Sequence, residues 1–178
     1  MSQVAERAGV SPTTLYNLYN TKDQLVMESL RELLAENTRE VAQRSEGPGW
    51  QYLYAATQSG AEMATESPAY AEAILVALQR AKAGDELVEV LITRQADGIF
   101  RSLKAMKKAR QLRKNVDIGE LAVALSGVYW SSFILWNKGV IRLQQLRHTV
   151  LMNFLSMLIP SVVGETRKQL EQRLEELV

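Results

Sequence analysis

The sequence predicts an all-α protein. Apolar residues recur at spacings of three and four along nearly all of its 178 residues, which is the repeat of a helix with one buried face. No segment shows the strict apolar–polar alternation of a half-buried strand. Residues that favour helix starts, such as Thr21 and Asp117, and helix-ending glycines, such as Gly84 and Gly139, stand at the borders of these segments.

Composition limits the class of protein further. The chain is 47% apolar and 23% charged, so it can bury a sizeable core. It contains no cysteine, which excludes a disulfide framework, a zinc-thiolate site and a thiolate nucleophile. The longest uncharged stretch, 121–137, is shorter than the ~20 apolar residues of a membrane span. With no secretory signal pattern at the N-terminus, we expect a cytoplasmic protein with no membrane partner.

Nine helices are expected in order, at about 2–8, 12–18, 22–44, 48–65, 68–82, 85–112, 118–138, 143–159 and 165–177. Thr21 is the expected N-cap of the third helix, with Gln24 completing a capping box. The Gly-Pro-Gly stretch at 47–49 breaks that helix. It therefore predicts two domains, a head over 1–46 and a helical body over 47–178.

The first twenty residues have the spacing that two helices need around a tight turn. Gly9 can adopt the positive φ of a helix-ending turn, Ser11 is placed to cap the second helix, and Pro12 suits its first turn. Five apolar residues are expected to pack between the helices: Val4, Ala8, Val10, Leu15 and Leu18. The outward face carries Thr13, Thr14, Tyr16 and Asn17. This pattern fits a DNA-reading helix-turn-helix, and it equally fits a plain corner between two helices.

The residue types in the motif distinguish between these alternatives. AGVSPTTLY at 8–16, followed by Tyr19, Lys22 and Leu25, strongly resembles the helix-turn-helix of the TetR family of bacterial regulators. The close match covers about residues 3–27, and it departs from the family at Leu18, where Tyr or His is usual. The chain begins where the family's second helix begins, so we expect a truncated head without the family's first helix. Beyond the motif the resemblance is one of architecture.

The resemblance implies a set of DNA-contacting residues at the start of the second and third helices. They are Ser11, Thr13, Thr14, Tyr16, Asn17 and Lys22. The threonines would face bases, Tyr16 the backbone or a thymine methyl, and Lys22 a phosphate. The first 44 residues carry five basic and six acidic side chains, so this positive charge would have to act locally.

The helical body shows no arrangement of catalytic residues. The one histidine, His148, has Arg147 beside it and no partner at ligand or triad spacing. No nucleophile–base pairing and no phosphate-cradling glycine loop is present. We therefore expect neither an enzyme nor a bound metal or cofactor.

Aromatic and methionine residues recur along the body. They pack the core, or some of them line an apolar pocket for a small effector, as the resemblance implies. The candidate lining residues are Tyr54, Met63, Tyr70, Ile74, Phe100, Tyr129, Trp130 and Phe133.

Two late helices, 118–138 and 143–159, are apolar on more than one face, which indicates a partner. In the family two helices at this place form a four-helix dimer interface. The candidate interface residues here are Leu121, Leu125, Val128, Leu146, Val150, Phe154 and Leu158. A homodimer also fits two heads that must reach successive major grooves.

A basic run without any acidic residue covers the end of the helix at 85–112 and the start of the connection to the helix at 118–138. It consists of Arg101, Lys104, Lys107, Lys108, Arg110, Arg113 and Lys114. It fits a solvated helix end whose cations oppose the helix dipole, and it also fits a nucleic-acid patch.

Together these features predict a ligand-responsive, DNA-binding transcriptional regulator. By family behaviour it would be a homodimeric repressor released from a palindromic double-stranded operator by a small, apolar effector. The alternative is a helical ligand-binding or dimerisation module that does not bind DNA because its first helix is absent.

Overall fold

The computed structural model describes residues 2–45 and 47–177, without the side chains of Gln3, Arg7, Lys22 and Asp23. The α-helices are α1 (Ser2–Ala8), α2 (Pro12–Leu18), α3 (Lys22–Gln43), α4 (Trp50–Glu66), α5 (Pro68–Arg80), α6 (Glu86–Val88), α7 (Arg94–Lys108), α8 (Ile118–Asn137), α9 (Leu143–Leu158) and α10 (Gly164–Glu175). Within these residues the only β-type pairing is an isolated bridge between Leu112 and Val162. The all-α prediction is confirmed.

The chain forms two compact units, residues 1–39 and 40–178. The division falls inside the continuous helix α3, a few residues before the Gly-Pro-Gly turn where the sequence predicts it. That turn does end the helix. However, packing sets the limit of a compact unit, and a break in the helix need not coincide with it.

The core of the larger unit is built around α8, which packs lengthwise between α7 and α9, while α4 packs on α9. A first core cluster includes Trp50, Leu103, Met106 and Phe154. A second joins α4, α5, α8 and α9, with the buried residues Ala61, Ala64, Leu75, Phe133, Trp136, Leu146 and Val150. Burying apolar surface of this kind contributes about 25 cal/mol per Å2.

A π-helical stretch, Glu89–Thr93, joins the short α6 to α7. The sequence predicts one uninterrupted helix here, because a π-turn adds a residue without any distinctive residue type. The stretch ends two residues before Gln95. Such π-segments inside helices often lie beside functional sites.

The end of α7 also differs from the prediction, which extended this helix to about Leu112. It ends at Lys108, and Arg110 adopts a φ of 58°, a left-handed conformation usually taken by glycine. The hydrogen bonds Gln111 N to Met106 O (2.9 Å) and Arg110 N to Lys107 O (3.1 Å) close the turn. This is a Schellman ending with arginine in the position of glycine.

The connection after α7 is held against the connection between α9 and α10. Arg113 N donates to Ser161 O and Val163 N donates to Gln111 O, both at 2.9 Å. The bridging residues Leu112 and Val162 are buried. The loop that carries the second half of the basic run is therefore fixed to the body.

Asp117 starts α8 as the sequence predicts. Its Oδ1 accepts hydrogen bonds from Gly119 N (2.7 Å) and Glu120 N (3.1 Å). These backbone donors favour the charged carboxylate and lower the pKa of Asp117 below its usual range. The helix start is stabilised while that carboxylate is ionised.

Helix α8 is long and apolar enough to span a membrane by length and composition, with a mean hydropathy of 1.5. It packs along two neighbouring helices, as a core helix does. It also leaves apolar side chains exposed, including Val123 (73%) and Ile134 (42%). These belong to a face that α7 and α9 do not cover.

Candidate DNA-reading helix and effector site

The turn between α1 and α2 has the geometry that the sequence predicts. Gly9 has a φ of 66°, Val10 N donates to Ala5 O (3.0 Å), and Gly9 N donates to Glu6 O (3.2 Å). These two bonds form a Schellman ending of α1. Ala5 itself is fully buried, which agrees with a close approach of two helices.

Helix α2 is capped by Ser11, whose Oγ accepts a hydrogen bond from Thr14 N at 3.0 Å and lies 2.9 Å from Thr14 Oγ1. Pro12 occupies the first turn, where its missing N–H leaves no donor unpaired. The cap therefore holds the first turn of α2 in place and orients the Thr14 hydroxyl.

The predicted base-reading residues share one property: all are solvent-exposed. They are Ser11, Thr13, Thr14, Tyr16 and Asn17. Tyr16 exposes 51% of its surface. Lys22 begins α3, and its side chain, the predicted phosphate contact, lies outside the described residues. The exposed hydroxyl, phenol and amide groups at the start of α2 can hydrogen-bond base edges and phosphates.

The predicted packing between α1 and α2 is only partly correct. Leu15 is buried, but Val4, Ala8, Val10 and Leu18 are exposed, with Leu18 at 64%. Two seven-residue helices can enclose few side chains between them. Apolar spacing alone therefore overstates how many of these residues the pair can bury.

In the larger unit, a polar centre lies between α7 and α8. Gln95 Oε1 accepts hydrogen bonds from Ser126 Oγ (2.9 Å) and from Trp130 Nε1 (3.1 Å). An indole N–H can only donate, so the atom facing it must be the amide oxygen of Gln95. The amide NH2 is left with two donors, and the described residues supply no hydrogen-bond acceptor for it.

An aromatic cluster, Tyr129, Trp130 and Phe133, adjoins this polar centre on α8. The ring centroids of Tyr129 and Trp130 are 5.2 Å apart, those of Tyr129 and Phe133 are 4.8 Å apart, and those of Trp130 and Phe133 are 5.9 Å apart. Burial raises the pKa of the Tyr129 phenol, so the hydroxyl stays neutral at all ordinary pH values. The three rings pack with the second core cluster and place one oriented amide beside them.

Gly60 on α4 allows the Tyr129 hydroxyl to approach the helix backbone. A Cβ at this position would overlap the hydroxyl oxygen and lie 3.2 Å from the ring carbon Cζ. No residue larger than glycine fits without moving the tyrosine. The sequence shows a glycine in mid-helix here, but it does not show which side chain requires it.

The structure brings together three of the predicted pocket residues, Tyr129, Trp130 and Phe133. Tyr54 lies against the first core cluster instead, with the Arg173 guanidinium 5.8 Å from its ring centroid. Phe100 is 40% exposed on α7, and its assignment to a pocket stays a prediction. Met63, Tyr70 and Ile74 are half-buried, and their place in a pocket stays a prediction. Sequence reasoning missed Gln95 and Ser126, because polar residues in amphipathic helices are usually solvated.

The predicted dimer residues need a correction. Six of the seven are buried within a single chain, which leaves them no surface for a partner: Leu121, Leu125, Leu146, Val150, Phe154 and Leu158. Val128 is half-buried and lies on the same side of α8 as Leu121 and Leu125. Periodicity identifies an apolar stripe, but it does not decide whether the stripe faces the chain's own core or a partner.

The uncovered side of α8 is defined by Val123, Gly127, Ser131 and Ile134, which we call the outer face. At 100° per residue these four lie within one 80° arc. All four are exposed, and a Cβ on Gly127 would meet nothing within 4 Å.

Among the described residues, no group of three or more His, Cys, Asp or Glu side chains is placed to hold a metal ion.

Comparison with known proteins gives a likeness at the level of structure. No family model matches the chain, and curated proteins give no significant match. Among solved structures, it matches the crystal structure of a gamma-butyrolactone receptor, an ArpA-like protein, with a TM-score of 0.64. The match covers 99% of this chain and 85% of the receptor, at 17% sequence identity. The two chains share a fold.

The Gly60–Tyr129 contact predicts an energetic coupling. Gly60→Ala forces the tyrosine ring out of its aromatic cluster. We expect this substitution to lower the free energy of unfolding by about 1–3 kcal/mol more in the protein with Tyr129 than in the Tyr129→Phe protein. Removing the hydroxyl leaves the 3.2 Å approach to Cζ, which a small ring shift relieves. Urea unfolding of the four proteins measures the coupling. Equal costs of Gly60→Ala in both backgrounds would contradict the contact.

Proposed function

We propose that this protein is a DNA-binding transcriptional regulator that responds to a small apolar effector. The observation that carries the proposal is α2. It is a capped helix with a hydrogen-bonding, solvent-exposed first half, set on a Schellman turn whose residues resemble the TetR motif. The fold shared with a gamma-butyrolactone receptor supports the same reading. We propose that the protein acts in the cytoplasm, together with the DNA that it would bind.

The effector site we propose is the aromatic cluster with Gln95. The free amide N–H groups of Gln95 suit an acceptor such as a lactone or ketone carbonyl, and the rings suit an alkyl or ring skeleton. Because the structural neighbour is named as a gamma-butyrolactone receptor, an alkyl-substituted lactone is the first compound to test.

Release from DNA requires that the effector bind one state of the protein more tightly than the other. Helix α3 runs without interruption from Lys22 to Gln43, through the division between the two units. A displacement of its last turn by effector binding would therefore be carried along a rigid helix to the DNA-reading residues. We propose repression relieved in this way.

We further propose a homodimer formed through the outer face of α8. Gly127 and Ser131 allow two helix backbones to approach closely, and Val123 and Ile134 supply apolar contacts on either side. A twofold axis through such a face pairs each helix with its own copy. A dimer presents two heads to one palindromic site.

DNA recognition can be tested by selecting duplexes from a random library with the purified chain. We expect enrichment of a palindrome whose half-sites are about 10 bp apart, or a multiple of that. Tyr16→Ala/Asn17→Ala should weaken binding to this operator by at least tenfold, since each base-edge contact contributes about 1–3 kcal/mol.

Gln144→Ala, an exposed change on α9, is the matched control and should leave operator affinity unchanged. Enrichment of no sequence would contradict the proposal. It would instead support a helical ligand-binding module that does not bind DNA.

The effector site can be tested with Gln95→Glu. This near-isosteric change keeps an acceptor for Ser126 and Trp130 but removes the amide donors. We expect at least about tenfold weaker binding of an alkyl lactone in calorimetric titration, and a matching rise in the concentration that releases the operator. Gln79→Glu, at an exposed glutamine that bonds Asn137, is the control. Unchanged lactone affinity in Gln95→Glu would remove Gln95 from the site.

The dimer can be tested with Gly127→Arg. Within one chain the new side chain enters open space, and the helix gains propensity by about 1 kcal/mol, so folding is preserved. We expect sedimentation to change from twice the chain mass of 20.0 kDa to that single mass. Gly127→Ala should remain dimeric. A dimeric Gly127→Arg protein would place the interface elsewhere.

A further inference from the structure

The positive charge of this chain is concentrated in one place that the proposed function does not use. The basic run has seven cations and no acid within 101–114, whereas the chain as a whole has a net charge of +1. Four cations lie on α7 and three in the connection to α8, and all seven are exposed. We call this set, Arg101, Lys104, Lys107, Lys108, Arg110, Arg113 and Lys114, the basic surface.

The basic surface keeps a net positive charge, because its one acidic neighbour with a resolved electrostatic effect is Asp117, which attracts Lys107 without a salt bridge between them. Elsewhere in the larger unit several arginines pair with glutamates, for example Arg167 with Glu171 (2.8 Å) and Arg173 with Glu176 (3.0 Å). Among the described residues, no carboxylate forms an ion pair with a cation of the basic surface, and the one bond there is from Lys107 Nζ to Val116 O (3.2 Å). Lys107 and Lys108 lie in the last turn of α7, where cations interact favourably with the helix dipole. This interaction does not explain the presence of Arg101, Arg113 or Lys114.

Arg110 provides a second, independent observation. It holds a left-handed φ of 58° where glycine would avoid the steric cost. The chain thus keeps a guanidinium at a position where the backbone favours no side chain. The bonds from Arg113 N and Val163 N fix the backbone of this connection, from which its exposed cations extend.

The shape of the surface favours a phosphate backbone over a lipid surface. Binding to a membrane interface draws on an exposed apolar face beside the cations. The apolar side of α7, with Ile99, Leu103 and Met106, is buried in the core, and only Phe100 is exposed beside the cations. Arg101, Lys104 and Lys108 form one row along the helix. The guanidinium of a single arginine can donate hydrogen bonds to two oxygens of one phosphate.

We propose that the basic surface binds the phosphate backbone of duplex DNA without reading its sequence. The proposal rests on the proposed DNA-binding function, whose reading segment is charge-poor: residues 1–44 have a net charge of −1. Electrostatic attraction to DNA scales with the number of phosphates that cations neutralise. The basic surface would supply that attraction, while α2 supplies sequence recognition.

The test measures binding of the full chain to a short duplex of scrambled sequence at about 50–200 mM salt. Lys104→Gln/Lys108→Gln should weaken binding by about tenfold or more, and should reduce the slope of log affinity against log salt by about two. Arg80→Gln/Lys82→Gln removes two exposed cations at the end of α5 and should leave both quantities unchanged.

Arg110→Gly separates binding from folding. It should weaken binding to the scrambled duplex while leaving the thermal midpoint equal or higher, because glycine accepts the left-handed backbone. Tyr16→Ala/Asn17→Ala should retain scrambled-duplex binding while losing operator binding. If the selection enriches no operator but the chain still binds the scrambled duplex, the result would contradict the proposed function and leave the basic-surface proposal standing.

Three results would overturn the basic surface. One is unchanged affinity in both basic-surface variants. Another is loss of scrambled-duplex binding in the Tyr16→Ala/Asn17→Ala protein, which would assign all DNA contact to α2. The third is binding to phosphatidylserine vesicles, weakened by Lys104→Gln/Lys108→Gln, without binding to the duplex, which would assign the surface to a membrane.

Discussion

The close packing of α8 is the constraint on which the larger unit depends. One side of this helix is fully used: Leu125 and Ser132 are buried, and Tyr129 is close enough to α4 that position 60 must be glycine. That contact holds the ring against Trp130 and Phe133, and Trp130 in turn fixes which end of the Gln95 amide faces it. The candidate effector site is therefore a consequence of helix packing. A polar group is oriented there because its neighbours have no freedom to move.

The other side of α8 follows from the same constraint. A helix that turns its large side chains inward between α7 and α9 can leave only small or unpartnered residues outside, and these are Val123, Gly127, Ser131 and Ile134. The helix is thus apolar enough to resemble a membrane span by length and composition, and its exposed outer face is the surface that we propose for a dimer. Length and composition do not distinguish these roles, because both require an apolar helix.

Charge is distributed unevenly between the segment proposed to recognise a DNA sequence and the basic surface proposed to bind the DNA backbone. The proposed DNA-reading segment is nearly neutral, and its exposed polar groups are hydroxyl, phenol and amide groups on a helix that Ser11 caps. The cations lie on α7 and the connection after it, where backbone bonds to the α9–α10 connection keep them in place. Recognition and general attraction to a polyanion place different demands on side chains. Recognition needs precise short groups, whereas attraction needs many long charged ones. In our two proposals, different elements of the chain meet these demands.

The residue pattern alone is enough to predict the helical class, most helix limits, and the turn and cap of the N-terminal motif. These depend on local chemistry, such as Gly9 at a positive φ, Ser11 at an N-cap and Asp117 ahead of α8. Only the tertiary structure decided which apolar stripe meets the core, and it moved Leu121, Phe154 and their neighbours from a predicted interface to the interior. It likewise showed Gln95 bonded to Trp130, thirty-five residues away. Burial and long-range contacts depend on how helices pack against one another, and the spacing of residues along one helix carries no record of its neighbours.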